Sequence, residues 1–225
     1  MSKSKNANKD IRRSRLLTAP AAELYVREVG EGEKPSRTIA GYAILFNTPS
    51  TPMWEDEECI AREIIAPEAV TKELLDQSDI KFTMFHNRER ILARSNKGTG
   101  SLTYTVDERG VSFEFEAPET ADGDMALEAV RRGDIAGCSF MFSTYYYDPA
   151  FVSVERQQVE GRTEVTYVVR TIVGIYDFTL AADPAYPDTE VSARELIDMQ
   201  RQAEPVDHSE TYAALRREIN KPIVF

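Results

Sequence analysis

The chain has 225 residues and only two histidines, so chemistry that needs an imidazole can occur at very few positions. His86 lies between an apolar run and a polar run, at the end of a predicted strand. A free imidazole titrates near pH ~6.5, which makes His86 a candidate general base. The alternative is a strand-end histidine that is hydrogen-bonded to nearby backbone. His208 lies in a polar stretch and is predicted to be a solvated loop residue, so a histidine-dependent reaction would use His86.

Ser139 and Cys138 are the candidate nucleophiles, at the start of an apolar run over residues 138–147. A buried hydroxyl needs a hydrogen-bond partner, so Ser139 either bonds to neighbouring backbone or faces His86. Adjacent residues of a strand point to opposite faces, so only one of the pair can face the histidine. A buried structural thiol is the expected state of Cys138, with a cysteine nucleophile as the rival interpretation.

Asp177 interrupts an otherwise apolar strand predicted over residues 175–180. An acid in such a strand needs either a partner or exposure to solvent. It could orient and charge-balance a histidine, as the third member of a serine–histidine–acid set does. A carboxylate on a solvated strand face is the alternative, and spacing alone leaves both interpretations open.

The composition excludes several classes of protein. The 38 acidic and 27 basic residues give a net charge of −11, which argues against a general nucleic-acid binder. No run approaches the ~20 apolar residues of a membrane span, and the N-terminus lacks the apolar region of a secretion signal. Two cysteines fit a reducing compartment. Without a C-x-x-C or H-E-x-x-H motif, we expect no metal and no cofactor.

Short runs of β-branched and aromatic residues, separated by turn signals, predict a mostly β domain of the α+β class. The predicted strands cover residues 37–46, 59–65, 80–85, 101–106, 111–117, 138–147, 164–172 and 175–180, and the predicted helices cover residues 67–77 and 124–133. This pattern predicts a barrel-like domain over residues 37–193. Residues 1–36 form a basic arm and lead-in that we expect to be partly disordered, and residues 194–225 form a helical C-terminal appendage.

Taken in order, four segments resemble the prohead proteases of tailed phages and prophages, which are capsid-maturation serine proteases. They are the strand of residues 39–46, the turn Phe85-His-Asn87, the segment from Gly133 through Ser139 to Phe142, and the segment of residues 177–186. By this resemblance His86 is the catalytic histidine and Ser139 the nucleophile. Asp177 takes the position where the family usually has Glu, seven residues before Pro184, and the turn lacks the family's Asn-His-Asp sequence.

The resemblance implies an assemblin-like β-barrel, similar to the herpesvirus maturation proteases, with short flanking helices and a helical C-terminal tail. It implies a serine endopeptidase that forms an acyl-enzyme and cleaves the major capsid protein, its scaffold segment and itself. The implied setting is the assembling procapsid in the bacterial cytoplasm, without a membrane or specific nucleic-acid partner and with possible homo-oligomers. Two alternatives stay open: a catalytically inactive assembly module, and a cysteine hydrolase that uses Cys138.

Overall fold

Most of the described chain is β-structure. The computed structural model describes residues 11–17, 24–27 and 36–181. The strands are β1 (Ile11–Leu17), β2 (Tyr25–Val26), β3 (Thr38–Leu45), β4 (Trp54–Glu55), β5 (Cys59–Ile65), β6 (Asp79–Met84), β7 (Asn87–Asn96), β8 (Thr99–Gly100), β9 (Leu102–Val106), β10 (Gly110–Glu116), β11 (Gly137–Thr144), β12 (Val152–Val159), β13 (Arg162–Val169) and β14 (Gly174–Ala181). Two helices, α1 (Lys72–Gln77) and α2 (Ala121–Arg132), and a 3-10 turn at Pro67–Ala69 complete the described elements.

The strands form three sheets. The first, which we call the site sheet, has the order β1-β11-β14-β6-β7-β8; the second is β2-β3-β10-β9, and the third is β12-β13-β5-β4. Each order begins and ends at an edge strand, so the described strands close no hydrogen-bonded barrel. The prediction of a mostly β chain is confirmed. The closed form of the expected barrel is not found, because periodicity along a strand does not specify which strands pair at the sheet edges.

An aromatic cluster joins the site sheet to the second sheet. The ring of Phe82 on β6 lies 4.5 Å from Phe113 and 4.6 Å from Phe115, both on β10, and 6.4 Å from Phe178 on β14. Phe82 and Phe178 are directly opposite each other in the parallel β6–β14 pair, and both are fully buried. Since side chains alternate along a strand, Asp177 and Thr179 lie on the other face of the site sheet.

Residues 67–77, predicted as one helix, divide into two elements. The 3-10 turn ends at Ala69, and the next two residues, Val70 and Thr71, both have extended backbone. The Thr71 side chain then accepts a hydrogen bond from the backbone N–H of Leu74, which caps α1. Two consecutive β-branched residues favour extended backbone, and this local preference explains the break.

The second predicted helix is confirmed. Thr120 caps α2 by accepting a hydrogen bond from Gly123 N–H, and α2 ends at Gly133, which has a left-handed φ of +75°. Glycine adopts this conformation without the steric cost of a Cβ, which makes Gly133 an effective stop before β11.

Several strands were not predicted. β7 begins at Asn87, in a polar stretch interpreted as a turn, and β12 carries exposed polar side chains along most of its length. Within the N-terminal arm, expected to be partly disordered, residues 11–17 form β1, paired antiparallel with β11. The helical segment predicted for residues 194–225 and His208 lie outside the described residues. Among the helices of the described part of the chain, none has the length and apolar character to cross a membrane.

Replacing Phe82 with alanine should remove the centre of the contact between the two sheets. We expect the free energy of unfolding to fall by about 3–5 kcal/mol, the usual cost of truncating a buried aromatic. Urea unfolding followed by fluorescence measures this change. Tyr147, which is 54% exposed, provides the control, and its replacement with alanine should cost far less. Equal destabilisation by the two variants would contradict the central role of this cluster.

Candidate active site

A two-residue turn carries the histidine. Met84 and Asn87 are paired as the last residues of β6 and β7, so Phe85 and His86 alone form the loop of this hairpin. Both have positive φ, +56° for Phe85 and +54° for His86, as a type I′ hairpin turn requires. For residues with a Cβ this conformation costs about 1–2 kcal/mol each, so surrounding contacts must stabilise it.

Two hydrogen bonds attach this turn to β14. The Phe85 N–H donates to the carbonyl of Leu180 at 3.0 Å, and the His86 N–H donates to Thr179 Oγ1 at 2.9 Å. On the solvent side the guanidinium of Arg90 lies 6.0 Å from the centre of the Phe85 ring and is bonded to Asp122 at the start of α2. The turn is therefore attached on both sides, and the histidine backbone has a defined position.

His86 bridges the other two candidate residues. Its Nδ1 lies 2.8 Å from Oδ1 of Asp177, and its Nε2 lies 2.9 Å from Oγ of Ser139. A neutral imidazole with its proton on Nδ1 donates to the carboxylate and accepts from the serine hydroxyl. The structure thus brings together all three residues singled out in the sequence, from three different strands or strand ends of the site sheet.

Burial differs strongly among these three side chains. Ser139 has no exposed surface, Asp177 is 1% exposed, and the His86 side chain retains 21% exposure. The second carboxylate oxygen of Asp177, Oδ2, is buried and accepts no hydrogen bond within the described residues. The charge of this carboxylate is therefore directed at His86, in an environment where electrostatic interactions are stronger than in water.

Asp177 reaches the histidine although the family that the sequence resembles usually has the longer glutamate at this position. In the β11–β14 pair Thr179 is opposite Ser139 and Asp177 is opposite Met141, so the acid lies two residues along the sheet from the serine. The imidazole of His86 bridges this separation, with Nδ1 2.8 Å from Asp177 and Nε2 2.9 Å from Ser139. The register thus places an acid as short as aspartate within hydrogen-bond distance.

Cys138 does not join this group. Its Sγ is buried and lies 3.8 Å from the carbonyl oxygen of Ser139, while the next side chain along the strand faces His86. Burial raises the pKa of the Cys138 thiol well above its usual range, with the Asp177 carboxylate acting in the same direction. The thiolate, which is the nucleophilic form, is disfavoured at this position.

Two threonines belong to the site and were missed in the sequence. Thr179 and Thr83 are fully buried, and their hydroxyls lie 3.0 Å apart beneath the histidine turn. Their sequence signal was weak, since threonine is common in strands. The spacing of Asp177 and Thr179, two residues apart in one strand, was the available sign that both occupy one face.

Within residues 11–17, 24–27 and 36–181, no group of three or more histidine, cysteine or acidic side chains could hold a metal ion. Ser139 supplies a hydroxyl that His86 can deprotonate, and Asp177 can stabilise the resulting imidazolium.

On a mostly β fold, one histidine ring thus contacts both a serine hydroxyl and an aspartate carboxylate, the order of contacts found in serine–histidine–aspartate sets. A family model described as Caudovirus prohead serine protease matches residues 22–203, and the chain belongs to this family. It is thus a member of a family of serine-type proteases, as the four resembling segments had predicted.

Two further comparisons, with solved structures and with curated sequences, add little to the family assignment. A search of solved structures finds the bacteriophage T4 capsid assembly protease, gp21, with 12% sequence identity and a TM-score of 0.35. The alignment covers 74% of this chain and 96% of the T4 chain. A comparison with curated protein sequences finds no match.

The environment of Cys138 predicts an unreactive thiol. Under native conditions we expect iodoacetamide to leave Cys138 unmodified, whereas in urea the residue should be alkylated readily, since unfolding removes the burial that raises its pKa. Mass spectrometry of peptides distinguishes it from Cys59, which is also buried. Rapid alkylation of Cys138 in the folded protein would restore the cysteine as a candidate nucleophile.

Proposed function

We propose that this chain is a serine endopeptidase that cleaves the major capsid protein or its scaffold segment, and itself, during maturation of a phage prohead. The observation that carries the proposal is the position of His86, within hydrogen-bond distance of both Ser139 and Asp177. The family supplies the class of reaction. The proposed catalytic residues are therefore His86 as base, Ser139 as nucleophile and Asp177 as the orienting acid.

The first half of the reaction forms an acyl-enzyme. Ser139 Oγ attacks the carbonyl carbon of the scissile peptide bond as its proton passes to His86 Nε2. Asp177 Oδ1 accepts the hydrogen bond from Nδ1 and stabilises the imidazolium. When the tetrahedral intermediate collapses, the C–N bond breaks and Nε2 gives the proton to the leaving amine. The acyl group remains on Ser139 as an ester.

The second half uses water in the same way. His86 Nε2 takes a proton from water as the oxygen attacks the ester carbonyl, and then returns the proton to Ser139 Oγ as the acid product leaves. Backbone N–H groups near Ser139 are the candidate donors to the oxyanion. The Arg170 guanidinium, an alternative donor, is bonded to Glu68 and Ser153 in this structure.

The proposed substrate is an extended segment of capsid or scaffold protein that pairs with a strand edge. The outer edge of β11, beside the nucleophile, already carries β1, with Leu16 opposite Ser139. Ser139 also has no exposed surface, so a peptide carbonyl reaches its Oγ only after a neighbouring segment moves. Residues 11–17 lie upstream of the family match at residues 22–203.

The proposed location is the interior of the assembling procapsid in the bacterial cytoplasm, where its capsid and scaffold partners are concentrated. A homo-oligomer is compatible with this setting. The competing function, an inactive assembly module, would require no hydrogen-bonded set of nucleophile, base and acid. The burial of Asp177 against His86 favours the enzyme, because removing a carboxylate from water is costly and an assembly module has no need of that charge at this position.

Replacing Ser139 with alanine should abolish cleavage of capsid or scaffold protein. We expect a loss of about 10⁶-fold in kcat, as is typical when a triad nucleophile is removed. Incubation of purified enzyme with its capsid substrate, followed by gel electrophoresis and mass spectrometry, measures the rate. Ser143 provides the matched control because it is a buried serine on the same strand, bonded to Tyr176. Its replacement with alanine should leave cleavage close to the wild-type rate.

The wild-type protein decides between the proposed classes. If it never cleaves capsid protein, scaffold or itself, the inactive assembly module is the better interpretation. If Ser139→Ala still cleaves while Cys138→Ala does not, the nucleophile is the cysteine.

Weakening β1 should expose the site. Adjacent residues of an antiparallel strand alternate in which side their N–H faces, so the pair Arg13→Pro and Ser14→Pro removes at least one N–H directed at β11. We expect faster cleavage of added substrate than in the control pair Arg13→Ala and Ser14→Ala. Equal rates in the two double variants would show that substrate does not use this edge of β11.

A further inference from the structure

The Thr179 hydroxyl lies where the strand of the nucleophile and the turn of the base meet. In the antiparallel pair Thr179 is directly opposite Ser139, and in the parallel pair it is directly opposite Thr83, whose strand leads into the histidine turn. It follows Asp177 by two residues on the same face of β14. Among the described strands, β14 alone carries Asp177 and is paired both with β11, which carries Ser139, and with β6, which leads into the His86 turn.

The hydrogen bonds of this hydroxyl use its full capacity. Thr179 Oγ1 donates to the Thr83 carbonyl at 2.9 Å, accepts from the His86 N–H at 2.9 Å, and accepts from the Thr83 hydroxyl at 3.0 Å. A hydroxyl has one donor hydrogen and two acceptor lone pairs, and the Leu180 carbonyl at 3.4 Å is a second, longer acceptor for that hydrogen. Because a backbone N–H can only donate, the oxygen acts as an acceptor toward His86, and the Thr179 side chain is fully buried.

The histidine backbone needs such an acceptor. With φ at +54°, His86 adopts a conformation that a residue with a Cβ avoids, and its turn is held to β14 by two N–H groups, those of Phe85 and His86. Loss of the acceptor would leave the His86 N–H without its partner and the turn attached to β14 through Phe85 alone. The imidazole would then be free to move away from Ser139 or Asp177.

We propose that Thr179 is a positioning residue of the protease: by accepting the backbone N–H of His86, its hydroxyl fixes the imidazole between Asp177 and Ser139. This inference rests on the proposed function for its kinetic consequence. It also has a consequence for the histidine alone, which can be observed without substrate.

The experiment compares three substitutions in the full chain. Thr179→Val keeps the shape but loses the acceptor, Thr179→Ser keeps the hydroxyl, and Thr179→Cys offers a weaker acceptor of similar size. The control is Thr144→Val, because Thr144 is an equally buried threonine on β11 whose hydroxyl donates to the carbonyl of Thr171 instead. Circular dichroism and urea unfolding first check that all four variants are folded like the wild-type protein.

Two readouts are used. The first is the rate at which a fluorophosphonate probe labels the nucleophilic serine. We expect Thr179→Val to lower it by on the order of 10- to 100-fold, the effect of a misplacement of about 1 Å, with Thr179→Ser near wild type and Thr179→Cys between them. Thr144→Val should leave the rate unchanged. Thr179→Cys keeps the series informative if Thr179→Val does not fold.

The second readout is the NMR signal of the His86 ring. Because the chain has two histidines, replacing His208 with glutamine assigns the remaining ring unambiguously. We expect the downfield signal of the proton that His86 shares with Asp177 to weaken or shift in Thr179→Val and to persist in Thr144→Val. A ring signal and labelling rate unchanged from wild type in Thr179→Val and Thr179→Cys would overturn the proposal.

The two readouts separate this inference from the proposed function. If wild-type protein is not labelled by the probe and cleaves neither capsid protein, scaffold nor itself, the proposed protease activity fails, whereas the ring signal still tests whether Thr179 positions His86. If wild type is labelled but Thr179→Val loses no more than Thr144→Val, the protease stands and Thr179 has only a structural role.

Discussion

The contact of one imidazole with both a serine and an aspartate depends on the order of three strands. β11, β14 and β6 are neighbours in the site sheet, and each supplies one part: the serine, the acid, and the strand that leads into the histidine turn. The middle strand is paired antiparallel on one side and parallel on the other. If β14 did not lie between the other two, the serine strand or the strand leading to the histidine would be one strand spacing, about 4.8 Å, further from the acid.

The two faces of this sheet have opposite characters. One carries Phe82, Phe140 and Phe178 and is covered by the aromatic residues of the second sheet. The other carries Ser139 and Asp177, which are buried and are connected by hydrogen bonds to the same His86 ring. Rigid packing on the first face allows defined distances on the second, because close-packed interiors deform little. The strained turn at His86 persists because this framework fixes both of its ends.

The strands with alternating or continuous apolar residues were predicted with nearly correct ends, and α2 was predicted from its capping signals. The missed elements share a physical feature. β7 and β12 expose many polar side chains, so their pairing, rather than their burial, makes them strands. The break at Val70 follows a local preference of β-branched residues, which the helical pattern of residues 67–77 concealed. The barrel expected from the resemblance depended on edge pairing, which no local pattern encodes.

The sequence alone determined which residues were candidates for the catalytic site. With two histidines in the chain, His86 was the candidate base, and the resemblance paired it with Ser139, one of two serines in the predicted strand of residues 138–147. Strand alternation required only that one of Cys138 and Ser139 face away from the histidine. Whether Asp177 faced solvent or His86 was decided by the tertiary structure, since register between strands distant in sequence sets that contact. The contact between the Thr179 hydroxyl and the His86 N–H was also decided by the tertiary structure. Periodicity fixes the face of a side chain, whereas the distance between side chains of different strands exists only once the sheet has formed.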